Sequence, residues 1–378
     1  MRLNCKKASY FRNMSLRKVL VVASHRPGRA PNQRFRIEQY LDHLRDHGFE
    51  CTLSYFINEK DDAVLYTKGH YWKKFLIHQK SLAHRKRDLK NIASYDLVFI
   101  VREALLTGNT FFEEALGDLD IPVVYDFDDA IWRLDVSDAN KLIGWLKNPA
   151  KTSNLIGLAD AVIAGNQYLA DYASTFNDDV TIIPSTVDTS WYKPISQNTK
   201  SKFVIGWSGS ITTIKHFEVI VPALKRIKAQ YGNRVEFRVV GDGNYRNMDL
   251  DITGVKWTLQ LELEQLSQFD VGLMPLPDDE WTKGKCGLKG LLYMAMEIPP
   301  LMSPVGVNTE IVTAGINGFL PDTEDEWVRA IQFLIEHPEQ AKEMGKQARK
   351  TVLERYSVDV WKNKYLELFQ RMTQGSTE

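Results

Sequence analysis

Three loops in the second half of the chain have residue types that suit an anion. The stretch GWSGSITTIKHF over 206–217 places Gly209 and Ser210 where a strand ends, Thr212 or Thr213 as a cap, and Lys215 in the first turn of the next helix. Backbone N–H groups at a helix start, small residues that permit close approach and one ammonium make a phosphate cradle, although Gly-Ser turns also precede helices that bind nothing. The stretch VVGDGN over 239–244 brings Gly241 and Gly243 directly after a strand, where Gly-Asp-Gly also reads as an ordinary tight turn. The third is GKCGLKGLLYMAMEI over 284–298. Gly284 and Gly287 free the backbone at a helix entrance, so the N–H groups of Lys285, Cys286, Gly287, Leu288 and Lys289 are expected to face a ligand, with Lys283, Lys285 and Lys289 adding charge. The plain alternative is a solvated basic turn before a core helix. Three such loops along one sheet edge weigh against it.

The first half offers SHRPGRAPNQRFR over 24–36, in which Gly28 shapes a loop and Arg34 and Arg36 are expected to reach a diphosphate, a match for guanidinium geometry. It also offers YDFDDAIW over 125–132. Asp126, Asp128 and Asp129 there suit binding of hydroxyls, a base, a metal or a helix cap; no further ligand cluster supports a metal.

These loops must be held by the elements before them. Apolar, β-branched runs at 18–24, 50–56, 95–101, 122–127, 161–165 and 180–184 alternate with helical patterns, of which 34–48 ends at Gly48. A polar stretch with a proline, 188–202, reads as a linker. Strand runs then resume at 203–209, 235–243, 254–257, 270–276 and 299–306, and the last 50 residues are helical. The expected fold is α/β, with two tandem doubly wound sheets whose strand ends face a ligand-binding cleft.

The bulk numbers agree. The 378 residues carry no net charge, 44% are hydrophobic and 25% charged, which suits a globular chain of two domains. Cys5, Cys51 and Cys286 have neither disulfide nor metal spacing, pointing to a reducing compartment. No apolar run approaches the roughly 18 residues of a bilayer span, and 19–23 is too short for a signal core. No acid precedes Glu38, while Arg2, Lys6, Lys7 and Arg12 do; residues 1–15 read as a disordered tail, with Met14 an alternative start. The stretch KGHYWKKFLIHQKSLAHRKR over 68–87 interleaves bases with aromatics, which suits either an anionic membrane surface or a solvated helix with one packed face. No reader motif for nucleic acid accompanies the charge.

The order of IIPSTVDTSWYKP, IGWSGSITTIKHF, VVGDG, FDVGLMPLPD, GLKGLLYMAMEIPPLMSPVGVNTEIV and INGFL resembles the family-4 glycosyltransferases of the GT-B fold. PGRAPNQRFRIEQYL and VVYDFDDAIW resemble a bacterial polysaccharide branch of that family. The resemblance implies two Rossmann-like domains: 1–195 for the acceptor, 196–355 for the nucleotide sugar, and a helix over 356–378 packing back on the first. It implies a retaining transferase using a UDP-sugar or GDP-sugar, with no metal or other cofactor. The acceptor would be a hydroxyl of a glycan or polyprenyl-linked saccharide, in the cytoplasm or at the inner face of its membrane.

By position, the resemblance assigns Gly209 and Lys215 to the diphosphate, Gly241 and Gly243 to the nucleotide, Trp257 to Leu259 to the base, and Glu310 to the ribose or phosphate. The family's partner arginine falls on Ser210. Its paired glutamates fall on Gly284 and Leu292, so Asp278, Asp279 or Glu280 would have to replace the sugar-binding carboxylate. Its histidine after the fourth strand becomes the aspartate run. Lys215, Asp126 and Asp128 are the catalytic candidates, and the leaving phosphate itself would help deprotonate the acceptor. The missing glutamates leave an inactive scaffold as an alternative, and a nucleotide-sugar 2-epimerase as a further one.

Overall fold

The computed structural model describes residues 16–133, 148, 150–195 and 201–374, and residues 1–15, with Cys5 and the early bases, lie outside them. The chain forms two units, Met1–Ile183 with Trp361–Glu378, and Pro184–Val360.

In the first unit, β1 (Arg17–Val22), β2 (Phe49–Ser54), β3 (Leu97–Val101), β4 (Val123–Phe127), β5 (Ala161–Ala164) and β6 (Val180–Ile182) form one sheet of order β2-β1-β3-β4-β5-β6. All its pairings are parallel. Every residue of β3 and β4 is buried, as a sheet covered on both faces demands. The chain leaves β1 toward β2 and then returns to the other side at β3, so the topological switch lies between β1 and β3.

The helix expected over 34–48 is instead three pieces: Pro31–Arg34, a 3₁₀ turn Glu38–Tyr40, and Leu41–Asp46. The break has a local cause. Arg36 turns inward to Asp126, while Glu38 turns back to accept from Gly28 N–H at 2.8 Å and Gln33 Nε2 at 2.6 Å. The helix Val358–Thr373 completes this unit, with Tyr365 4.2 Å from Tyr40 and Phe369 5.7 Å from Phe49, ring centre to ring centre.

The second unit holds β7 (Phe203–Ser208), β8 (Val235–Gly241), β11 (Val255–Lys256), β12 (Val271–Met274) and β13 (Pro300–Met302) in the parallel order β11-β8-β7-β12-β13. A small antiparallel pair, β9 (Arg246–Asn247) and β10 (Ile252–Thr253), lies beyond β8. Here the switch falls between β7 and β12. The core packs Trp207, Phe217 and Val239 against Trp327 and Ile331 of the amphipathic helix Glu324–Glu336.

The division between units lies at 183/184 and 360/361, not at 195/196 and 355/356. The reason is that the start of the expected linker packs into the second unit. Tyr192 is buried and donates to Glu262 at 2.5 Å, and Val187 bonds Tyr356 O at 2.8 Å.

Candidate functional site

The switch point of the second unit is where the glycine loops meet. Gly209 N–H bonds Val240 O at 2.9 Å, and Gly241, with φ of +149°, lies against the Gly209 carbonyl so closely that a Cβ would collide with it. Beneath Gly209 is the buried Trp207 ring, 2.4–2.5 Å from where a Gly209 Cβ would stand. Lys289 Nζ sits 5.9 Å from the centre of that ring. Trp257 N–H bonds Gly241 O at 3.2 Å, and its indole donates to Glu262 at 2.9 Å. The fold therefore brings Gly209, Gly241, Trp257 and Lys289 to one place. Leu259 follows as the first residue of the helix Leu259–Ser267, and Gly243 packs against Lys256.

Ser210 and Lys215 follow this junction, Lys215 in the first turn of the next helix as expected. Ser210 N–H bonds Thr213 Oγ1 at 3.0 Å in a capping box over a 3₁₀ turn, Ile211–Thr213. The serine caps this turn with its own polar groups, and Thr213 stands as the N-cap residue of the next helix without a side-chain bond to it. Lys215 is exposed on the short helix Ile214–Glu218.

The stretch from 284 to 298 divides at Gly287, whose φ of +69° opens the helix Leu288–Ala295. Gly284 ends the preceding turn of helix, Glu280–Lys283, and the Lys285 N–H bonds Thr282 O at 3.0 Å, so these two positions close a helix instead of presenting N–H groups to a ligand. Cys286 is buried with its thiol 3.8 Å from Gly284 O, and Lys285 lies over the Trp281 ring. Asp279 caps Glu280–Lys283 through Thr282 N–H at 2.8 Å, while Asp278 and Glu280 pair with Lys283 at 3.8 and 3.1 Å. Leu292 is a core residue, only 6% exposed. The exposed Glu310 lies on Asn308–Ile311, a short helix whose Asn308 and Ile311 border Gly287.

Two residues here carried no sequence signal. The Tyr293 hydroxyl accepts from Ser208 N–H at 2.8 Å and donates to Leu273 O at 3.4 Å, tying the helix to both strands of the switch. Asn308 donates to Ser303 O at 2.9 Å, while its buried Oδ1 has no hydrogen-bond partner among the described residues and would lie 3.7 Å from a Cβ on Gly287.

In the first unit the acidic and basic candidates meet each other. Arg36 and Asp126 are both fully buried and paired bidentately, Nη2 to Oδ1 at 2.5 Å and Nε to both oxygens at 3.1 Å, and Arg36 Nη1 donates to Ile183 O at 2.5 Å. Arg36 is therefore a core residue and not a diphosphate ligand, and Asp126 is out of reach of a substrate. Burial pushes the Asp126 carboxyl up to about 6, with Arg36 opposing. Arg34 is buried with its guanidinium 4.8 Å over the Phe35 ring, and the Gly28 N–H is taken by Glu38. Asp128 and Asp129 both pair with Arg102, the former at 2.6 Å. The three aspartates are thus divided between two guanidinium groups.

What the sequence reading missed is the cluster at this unit's switch point. His25 follows β1, and its Nε2 lies 2.8 Å from the Tyr66 hydroxyl. Arg102 follows β3 with φ of +61°. Asp62 accepts from Arg29 at 2.5 Å and Arg26 at 3.1 Å. Burial pulls the His25 imidazole down to about 4, against the pull of Asp62. A histidine three residues past the end of the first strand was the available signal.

Among curated proteins no sequence is similar to this chain. Solved structures are. Sucrose-phosphate synthase from Thermosynechococcus elongatus matches with a TM-score of 0.69 and 15% identity over 94% of this chain and 99% of its own. HepE from Anabaena in complex with UDP-glucose matches at 0.65 and 16%, over 94% and 99%. A glycosyltransferase from Rickettsia africae matches at 0.65 and 14%, over 96% and 100%. These give the fold, GT-B. The model of the family described as glycosyl transferases group 1 matches residues 202–337, which include the Gly209–Gly241 junction and Lys289. Residues 202–337 thus resemble a group 1 glycosyl transferase domain, carried on a chain of GT-B fold.

Proposed function

We propose that the protein is a retaining hexosyltransferase of the family-4 type, using a nucleotide diphosphate sugar without a metal. The observation that carries this is the meeting of Gly209 and Gly241 backbones at a switch point, with Lys289 beside them on Trp207. Ligands of doubly wound sheets bind at such switch points, and the ammonium supplies positive charge at the same place. HepE, of the same fold, was solved with UDP-glucose, which favours UDP as the carrier.

In this reading the second unit holds the donor. Trp257 and Leu259 border the base, Gly209 and Gly241 the diphosphate, and Lys289 and Lys215 offset its charge. The bond from the anomeric carbon to the phosphate oxygen breaks, the acceptor oxygen bonds that carbon on the same face, and its proton passes to the leaving phosphate. No protein carboxylate is needed as base, which fits Asp126 and Asp128 held by arginines. The first unit receives the acceptor, a glycan or polyprenyl-linked saccharide hydroxyl in polysaccharide synthesis at the cytoplasmic face of a membrane.

Incubating the protein with UDP- and GDP-hexoses and extracted lipid-linked acceptors, with and without EDTA, tests this. Transfer that survives EDTA, with an axial donor giving an axial product by NMR, is expected. Nucleotide binding without transfer to any acceptor would instead favour the inactive scaffold, which the non-acidic Gly284 and Leu292 leave open.

A further inference from the structure

The helix Tyr71–Lys90 of the first unit presents a surface that the transferase reading does not use. Its buried side is Lys74, Ile77, Ser81 and Arg85. On the opposite side the amino-terminal turns expose Trp72 (70%), Phe75 (47%) and Leu76 (50%), with the Trp72 and Phe75 rings stacked at 5.4 Å. The same side continues through Gln79 and Ala83 to Lys86, Arg87 and Lys90, all exposed. At 1.5 Å per residue, the apolar tip and the basic end are separated by about 15 Å along one face. The helix has seven Lys and Arg and a single acid, Asp88, which Arg85 holds at 2.7 Å.

We infer that this face is a docking surface for an anionic phospholipid bilayer, with Trp72, Phe75 and Leu76 entering the interface and Lys86, Arg87 and Lys90 on the headgroups. Two physical features select lipid over a protein partner. Aromatic side chains exposed to this degree are stable at a headgroup boundary, where an apolar body meets water. Bases spread along a face of a helix whose one acid, Asp88, is held by Arg85 complement a continuous negative surface, which reads total charge and not a pattern. The helix is not a span: among the described residues no helix is long and apolar enough to cross a membrane. This inference stands on exposure and charge, independently of the transfer reaction.

The test is co-sedimentation of the full chain with vesicles of phosphatidylcholine alone or with phosphatidylglycerol, at low and high salt. The wild type is expected to bind only the anionic vesicles, and less in high salt. Trp72→Ser with Phe75→Ser and Leu76→Ser, and separately Lys86→Glu with Arg87→Glu and Lys90→Glu, should each lower partitioning by at least about tenfold. Both should keep the wild-type thermal melt and UDP affinity. Absence of vesicle binding by the wild type, or binding unchanged in the apolar variant, overturns the inference. So does lipid-free self-association abolished by that variant, which would make the face a contact between copies. Vesicle binding that persists in a protein inert toward every donor would overturn the transferase reading alone.

Discussion

Gly241 lies against the Gly209 carbonyl with no space for a side chain, and its φ of +149° is one that L side chains rarely adopt. Gly241→Ala must therefore move two loops at once. We expect a loss of about 1–3 kcal/mol in unfolding free energy and a fall in UDP affinity. Gly243→Ala is the milder comparison, since its Cβ would meet the Lys256 Cβ at 3.1 Å, a tight contact and not the 2.0 Å collision at Gly241. Denaturant unfolding and calorimetry should rank the two variants in that order; equal effects would contradict the packing argument.

Lys289 sits over Trp207 rather than in open solvent, so Lys289→Met keeps much of the stem's packing and removes the charge. Affinity for UDP is expected to fall about tenfold, or ~1.4 kcal/mol, while affinity for uridine stays constant. A matching loss for both ligands would place the lysine's effect on the base and not on the phosphates.

The buried pair of Arg36 and Asp126 predicts a structural phenotype where a catalytic one was expected. Arg36→Met leaves a carboxylate in the core without its partner and should cost about 3–5 kcal/mol of stability. Adding Asp126→Leu should recover part of that loss. UDP affinity at 15 °C or below its melting point should match the wild type in whichever variant stays folded, as both residues belong to the first unit.

The strand framework was legible because buried parallel strands are largely apolar runs; β3 and β12 are continuous ones, and β1, β4 and β7 each contain a shorter one. The glycine positions were legible as well, since Gly241 and Gly287 sit at positive φ, where another residue would strain the turn. Charge was not. Arg34, Arg36 and Asp126 look like surface chemistry in a string of letters, and nothing local says that two of them neutralise each other in the core. Tyr293 illustrates the same limit. Its hydroxyl bonds a strand 85 positions earlier, and only the completed sheet brings Ser208 within reach.

Acidification offers a test of the His25 site. Its folded pKa of about 4 lies below the ordinary 6.5, so between these values the fold holds fewer protons than the unfolded chain. The associated stability is present above pH 6.5 and is lost as pH falls toward 4. Asp126 has the opposite sign: raised from 3.8 to about 6, it makes the fold bind more protons and gain stability on acidification across that window. His25→Asn should therefore lose less stability than the wild type between pH 6.5 and 4, in urea melts followed by circular dichroism. Identical pH slopes would exclude a neutral, half-buried His25.

The first unit is completed from the far end of the chain, since Tyr365 and Phe369 close its core against Tyr40, Phe49 and Phe99. During synthesis the first 183 residues leave the ribosome with that seat unfilled, and it stays so while the whole second unit is made. The second unit has every residue it needs by Val360 and is free to fold first. A stop codon placed just after 360 would thus spare the second unit while leaving the first with an open apolar groove, a ready substrate for chaperones and proteases.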